Sequence, residues 1–273
     1  MGEVNCLKKE AGMKTLKDLS ESFVKRIKYV VNTHFGADTN PQNEIKVAFD
    51  PYLKDKEGRK HQTQLKRAGG STAQPKSYYV EDMSLENINI KDLLGSVETK
   101  HSLTEIFAKA LLCDSELLNF KLTVAYHQKV FGASVVTEHG HEEADQIMPC
   151  MVRDSFALTP FREVTVVSPD SDSFGSLIDV VAKGVAKRLI NPLVSKLTLV
   201  IGKGALTKTI DVISRVNTMG LNFARAYIGL QVFTGTVWGG KFLGVTKKHW
   251  SEAFFLAADD ELLEAFSPRW RIR

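Results

Sequence analysis

The sequence predicts an α/β fold, a mainly parallel central sheet with helices on both faces, and three observations carry that prediction. Short runs rich in β-branched residues alternate with stretches of helical periodicity over nearly the whole length, the pattern of a sheet whose strands are joined by crossover helices. Two of those runs, at 45–49 and 164–167, stop at an aspartate next to a proline: Phe49-Asp50-Pro51 and Ser168-Pro169-Asp170. Proline cannot continue a central ladder, so both runs read as strands with a carboxylate hanging off the carboxyl end. No internal repeat or low-complexity block competes with this reading.

The bulk numbers permit one large α/β domain or two small ones. The chain has 273 residues, 43% of them hydrophobic and 25% charged, enough apolar material for a sizeable core. A formal net charge of +4 and a pI near 8.8 admit a polyanionic partner without requiring one. Cys6, Cys113 and Cys150 are odd in number and far apart, with no Cys-x-x-Cys. That pattern indicates neither a disulfide framework nor a zinc knuckle and points to a reducing, intracellular setting, with the nucleus as the expected place for a nucleic-acid partner. Residues 1–10 carry no apolar stretch of the kind a secretory leader uses, no apolar run reaches membrane-spanning length, and Gly2 lacks the Ser or Thr at position 6 that myristoylation needs, since Cys6 stands there.

Taken in order, residues 1–44 form a helical, peripheral extension, with Leu16, Leu19, Phe23 and Ile27 on one face. The strand at 45–49 follows, ending in Asp50. A basic insertion at 54–76 carries Arg59, Lys60, Lys66 and Arg67; it is either a solvated face or a segment that grips phosphates. The next clear helix starts at Ser102, an N-cap with Glu105 three residues on. A strand at 121–126 precedes a helix opened by Glu142-Glu143-Ala144-Asp145, whose acids also suit the helix dipole. After the strand at 164–167, Asp170 and Asp172 lead into a helix from Phe174. As an Asx turn, the pair would simply cap that helix. Further elements are a helix at 177–190, a strand at 197–201, and helices at 211–216 and 223–231. Gly202-Lys203-Gly204 ends a strand and lacks P-loop spacing.

Asp50, Glu143, Asp145, Asp170 and Asp172 thus fall at strand ends or at a helix start. Parallel neighbouring strands would bring them to one sheet edge, the edge where open α/β sheets bind ligands. Gathering so many anions costs on the order of several kcal/mol unless protons or cations sit among them. Magnesium, or manganese, takes oxygen ligands, and two such ions about 4 Å apart can stabilise both the attacking and the leaving oxygen of phosphodiester hydrolysis.

The ordered set Phe49-Asp50-Pro51-Tyr52, Glu142-Glu143-Ala144-Asp145, Val166-Val167-Ser168-Pro169-Asp170-Ser171-Asp172 and Phe233-Thr234-Gly235 resembles the PIN-like, flap-endonuclease-like nuclease domains of mobile-element-associated eukaryotic proteins. It is more distantly similar to the 5′ nuclease fold. The resemblance runs from about residue 45 to 266 and implies a PIN-like domain over 45–273, with a helix-turn-helix element at about 235–266. It implies Asp50, Glu143, Asp145, Asp170 and Asp172 as catalytic metal ligands. It also implies a nucleic-acid partner, DNA rather than RNA, gripped by Lys241, Gly244, Lys247 and Lys248 as helix N-termini and cations can. The implied function is structure-selective, metal-dependent hydrolysis of flap or single-stranded DNA.

One departure sets a second reading beside the first. The family places an aspartate where this chain has Val237, and valine offers no oxygen to a second ion. The chain is then an impaired nuclease, a nuclease rescued by Asp211 or Asp179, or an inactive PIN-like remnant that binds nucleic acid or protein. Other chemistries fail on spacing. His141-Glu142-Glu143 with Pro149-Cys150 lacks the second cysteine of a zinc deaminase, because position 153 is Arg. His139 and His141 lack further zinc ligands, and no Gly-x-Ser-x-Gly supports a serine hydrolase.

Overall fold

The computed structural model describes residues 13–36, 43–50, 83–86, 88, 93, 97–132, 136–138, 140–141, 143–158, 162–170, 172–202, 206–234, 247–257 and 260–266. The chain divides into two compact units at Met148 and Pro149. It is a mixed α/β protein. Among the described residues, no helix is long and apolar enough to cross a membrane.

In the first unit, helix α1 (Leu16–Phe35) opens with a capping box. Thr15 Oγ1 accepts from Asp18 N–H, and the Asp18 carboxylate accepts from Thr15 N–H. Its apolar face is not a surface feature: Leu16, Leu19, Phe23, Val24 and Val31 are buried in the same core as Ile45, Phe107 and Val124. Phe23 stacks on Phe107 with ring centroids 4.7 Å apart and meets Phe49 at 5.7 Å. The helix expected to be peripheral is therefore a core element. Periodicity shows which face is apolar but not what covers it.

Strands β1 (Glu44–Ala48) and β2 (Lys121–Tyr126) pair in parallel, with Val47 opposite Val124 and Ala48 opposite Ala125. Strands β3 (Lys129–Phe131) and β4 (Val136–Glu138) then add antiparallel, completing a four-stranded sheet in the order β1-β2-β3-β4. Helix α2 (Val97–Cys113) packs Leu103, Phe107 and Leu111 into the core. It begins before Ser102, which lies inside it rather than at its cap. The buried stripe explains this, because Thr99 is already buried one turn ahead of Leu103.

Helix α3 (Ala144–Leu158) spans the division between the units and contains Pro149, which supplies no N–H for the carbonyl four residues back. In the second unit, β5 (Glu163–Ser168) and β6 (Lys196–Ile201) are parallel, and β7 (Lys208–Asp211) adds antiparallel to β6. Helix α4 (Asp172–Ala186) connects β5 to β6 and buries Leu177, Ile178 and Val181. Helix α5 (Val212–Met219) ends at Gly220, whose φ of 79° is open to glycine at little cost. It is followed by α6 (Leu221–Phe233), α7 (Lys247–Ala257) and α8 (Asp260–Phe266). An aromatic cluster of Phe223, Phe233, Trp250, Phe254 and Phe266 joins α6, α7 and α8.

Parallel pairing thus holds for the strand pairs that carry Asp50 and Asp170, while the remaining described pairings are antiparallel. β5 also differs from the buried strand expected of it. Val166 is buried, but Thr165 and Val167 are exposed, the alternation of a strand covered on one face.

Candidate metal centre

Asp50 lies two residues beyond β1, at the carboxyl edge of the parallel pair, where Phe49 N–H still donates to Ala125 O at 2.9 Å. Its Oδ1 accepts a 2.9 Å hydrogen bond from Ala144 N–H, the first residue of α3, from 94 positions away in sequence. A carboxylate at a helix N-terminus satisfies one of the orphan donors and gains from the dipole. The contact brings Asp50 to the turn that carries Glu143 and Asp145. Glu143 precedes the helix, with its carbonyl accepting from Gln146 and Ile147, and is half-buried; Asp145 is exposed in the first turn. Three of the five expected acids therefore lie on adjoining segments of the first unit, but their carboxylates do not form a group of three within 4.8 Å of one another; among the described residues that holds for His101, Glu105 and His127.

Asp170 and Asp172 lie in the second unit, at the carboxyl end of β5. Asp170 Oδ1 accepts from Asp172 N–H at 3.0 Å, its own N–H donates to Ser168 Oγ at 3.2 Å, and Ser173 Oγ–H donates to its carbonyl. This is an Asx turn leading into α4, which starts at Asp172 rather than at Phe174. The bland reading of that motif is thus realised in the hydrogen bonding. One lone-pair direction of the carboxylate is taken, and about three of the four remain for a cation.

The two substitutes considered for the missing carboxylate are poorly placed. Asp211 ends β7 opposite Thr198, toward the amino end of β6, and caps α5 by accepting from Ser214 N–H at 3.0 Å. Asp179 is two turns beyond Asp172, about 10 Å along the helix, and is paired with Lys183. The open groove of about 460 Å³ lined by Pro192, Ser195, Asp211, Ser214 and Asn217 lies at that same amino end, away from Asp170.

Of the expected nucleic-acid contacts, Lys247 and Lys248 open α7. Lys248 is exposed, 3.7 Å from Glu252. Arg59, Lys60, Lys66, Arg67, Lys241, Gly244 and Val237 lie outside the described residues, as does the link from 235 to 246 within the expected helix-turn-helix element.

Sequence reasoning passed over one group of ligand-type side chains. His101 and Glu105 on α2 and His127 after β2 present one ligand atom each within 4.8 Å of one another. Only the four-residue spacing of the first two was visible in the chain; His127 arrives by tertiary structure. Comparison with protein-family models, curated proteins and solved structures finds no match to this chain.

Proposed function

We propose that this chain is a divalent-metal-dependent nuclease of the PIN-like, flap-endonuclease-like type, hydrolysing phosphodiester bonds of flap or single-stranded DNA. The observation that carries the reading is the bond from Ala144 N–H to Asp50, which ties the acid after β1 to the helix start bearing Glu143 and Asp145. Asp170 and Asp172 form a separate acidic pair within the second unit. The reading includes a PIN-like fold in which the carboxyl ends of the parallel pairs β1-β2 and β5-β6, each within its own unit, carry the acids.

The donors are all carboxylate oxygens, which fit magnesium or manganese rather than a softer ion. Bound there, such an ion polarises the phosphoryl oxygen and activates water. The protein's own contribution is to hold the carboxylates. Asp50 is fixed by the α3 N-terminus, and Asp170 by its Asx turn. In the proposed helix-turn-helix element, Lys247 and Lys248 occupy a first turn, where the helix dipole disfavours cations. A phosphate there reverses the sign of that interaction. A DNA substrate carries with it an intracellular, nuclear setting.

A second reading is favoured by specific observations. Val237 removes one carboxylate, and Asp50 and Asp170 each perform a capping role that accounts for them without catalysis. The chain would then be an inactive remnant that binds nucleic acid or protein. The two readings separate when the full chain is incubated with 5′-flap DNA, single-stranded DNA and RNA in magnesium or manganese, beside Asp50→Asn and Asp170→Asn. Asparagine keeps an oxygen for the capping N–H and removes the charge. Cleavage by the parent that falls about a hundredfold or more in both variants supports the nuclease. Equal cleavage in all three indicates contamination, and DNA binding without cleavage in the parent supports the remnant. Val237→Asp should raise activity, and an unchanged rate would count against the alignment of the tail.

A further inference from the structure

We propose that His101, Glu105 and His127 form a zinc(II) site, distinct from the acidic centre in its ligands and its metal. His101 and Glu105 are four residues apart on α2 and so share one face of the helix. His127 is delivered by the turn that joins β2 to β3, and all three residues are half-buried.

That turn is unusual for its residues. His127 and Gln128 have φ of 48° and 60°, the left-handed pair of a two-residue hairpin that Asn-Gly ordinarily fills. Side chains larger than glycine cost about 1 kcal/mol or more each in that region and persist there when their surroundings hold them. Here His127 Nε2 lies 3.0 Å from the backbone carbonyl of His101. A carbonyl only accepts, so Nε2 bears the proton and Nδ1 carries the lone pair of the neutral ring. A ring N–H donated to a backbone carbonyl is the arrangement that fixes tautomer and orientation in metal-ligating histidines. The two imidazoles stack with centroids 3.6 Å apart and planes within 3°.

The separations are close to what zinc needs, while the parallel stacked rings must turn before both lone pairs reach one ion, because an imidazole binds a metal in its own ring plane. With metal–ligand bonds of about 2.0 to 2.2 Å, tetrahedral neighbours stand about 3.4 Å apart. The three ligand atoms lie within 4.8 Å of one another, so each needs to move less than about 1 Å. A tilt of one stacked ring about χ2, a broad torsion, supplies that movement. Glu105 Oε1 accepts from Lys109 Nζ at 2.8 Å, but a carboxylate offers about four lone-pair directions and keeps others for the ion. Two nitrogens and one oxygen suit zinc, whereas magnesium asks for oxygens throughout. Three protein ligands leave a fourth position for water or an external ligand. Because β1 and β2 are parallel and Ala48 is level with Ala125, the site is at the same strand edge as Asp50.

Isothermal titration of the full chain with zinc alone, in excess magnesium to occupy the carboxylates, tests this directly. The parent should bind one equivalent and show a zinc-dependent rise in melting temperature. His101→Ala and His127→Asn, the latter tolerant of positive φ, should weaken that binding by about a hundredfold or more, beyond the loss typical of an outer-shell change. Glu105→Gln, nearly isosteric, should weaken it by at least about tenfold, and His141→Ala should bind as the parent does. Circular dichroism of the metal-free variants reports whether they fold. Absence of stoichiometric binding in the parent, or unchanged binding in a folded Glu105→Gln together with either histidine variant, overturns the proposal. So does a melting temperature that zinc does not move while the substitutions lower it, which would make the cluster purely structural.

Discussion

Asp50, Asp170 and Asp114 are the same residue type doing related work, and only their partners tell them apart. The first two accept helix or turn N–H groups at sites where a cation is proposed. Asp114 accepts from Glu116 N–H and Leu117 N–H and pairs with Lys28 at 2.8 Å, with 18% of its side chain exposed. Burial pushes its carboxyl upward, but the Lys28 ammonium and the Leu117 N–H outweigh that, so the group sits below the ordinary aspartate value of 3.8. A depressed folded-state value means that the carboxylate's stabilisation is fully present above the unfolded-state value and is lost as pH falls through the folded one. Asp114→Asn should therefore cost about 1 to 3 kcal/mol near neutrality. In urea unfolding, that gap should hold from pH 7 to about 5 and narrow below about 4. A gap that widened on acidification would contradict the assignment. The acids' positions were legible in the sequence, because an aspartate after a β-branched run is a local pattern. The Asx turn at Asp170 was legible too, because its partner is two residues away; the capping role of Asp50 was not, since Ala144 is 94 residues from it.

The strands expected at 45–49, 121–126, 164–167 and 197–201 match β1, β2, β5 and β6 to within a residue at each end. Each is a run whose own composition favours extended backbone. β3 was missed because its turn is His127-Gln128, carrying none of the Asn-Gly chemistry that marks a hairpin. β7 was missed because Lys-Thr-Ile-Asp is short and mostly polar, held in place by pairing with β6. Packing between helices was equally invisible. A methyl group added at Gly229 in the middle of α6 would lie 1.8 Å from the Phe266 carbonyl oxygen of α8. Intrinsic propensity favours alanine over glycine in a helix by up to about 1 kcal/mol. Relieving the clash means prising α8 off α6 and loosening the contact of Phe266 with Phe254, at about 1 to 3 kcal/mol. The clash should win, so Gly229→Ala should lower the urea midpoint. A raised midpoint would show that propensity decides and that the two helices do not approach so closely.

The balance of charge over the whole chain bears on function rather than fold. A net +4 spread evenly would give weak, diffuse attraction for polyanions, whereas four cations concentrated at Arg59, Lys60, Lys66 and Arg67, with Lys247 and Lys248 at the start of α7, can act as contacts. Counterion release distinguishes the two cases. Each phosphate neutralised adds about 0.9 to the slope of log affinity against log salt for duplex and about 0.7 for a single strand. Changing Arg59, Lys60, Lys66 and Arg67 together to alanine should flatten the slope for flap DNA by about 3 units if all four touch phosphate. Lys247→Ala with Lys248→Ala should flatten it by about 1 to 2. Fluorescence anisotropy between about 50 and 200 mM salt reads both values, in calcium so that binding is followed without turnover. The nuclease and the DNA-binding remnant make the same prediction here, because both hold the backbone. A shallow slope in the parent that neither set of substitutions alters would leave the basic segment a solvated face. DNA would then no longer be the partner of either reading, and the protein-binding form of the remnant would be the one left to test.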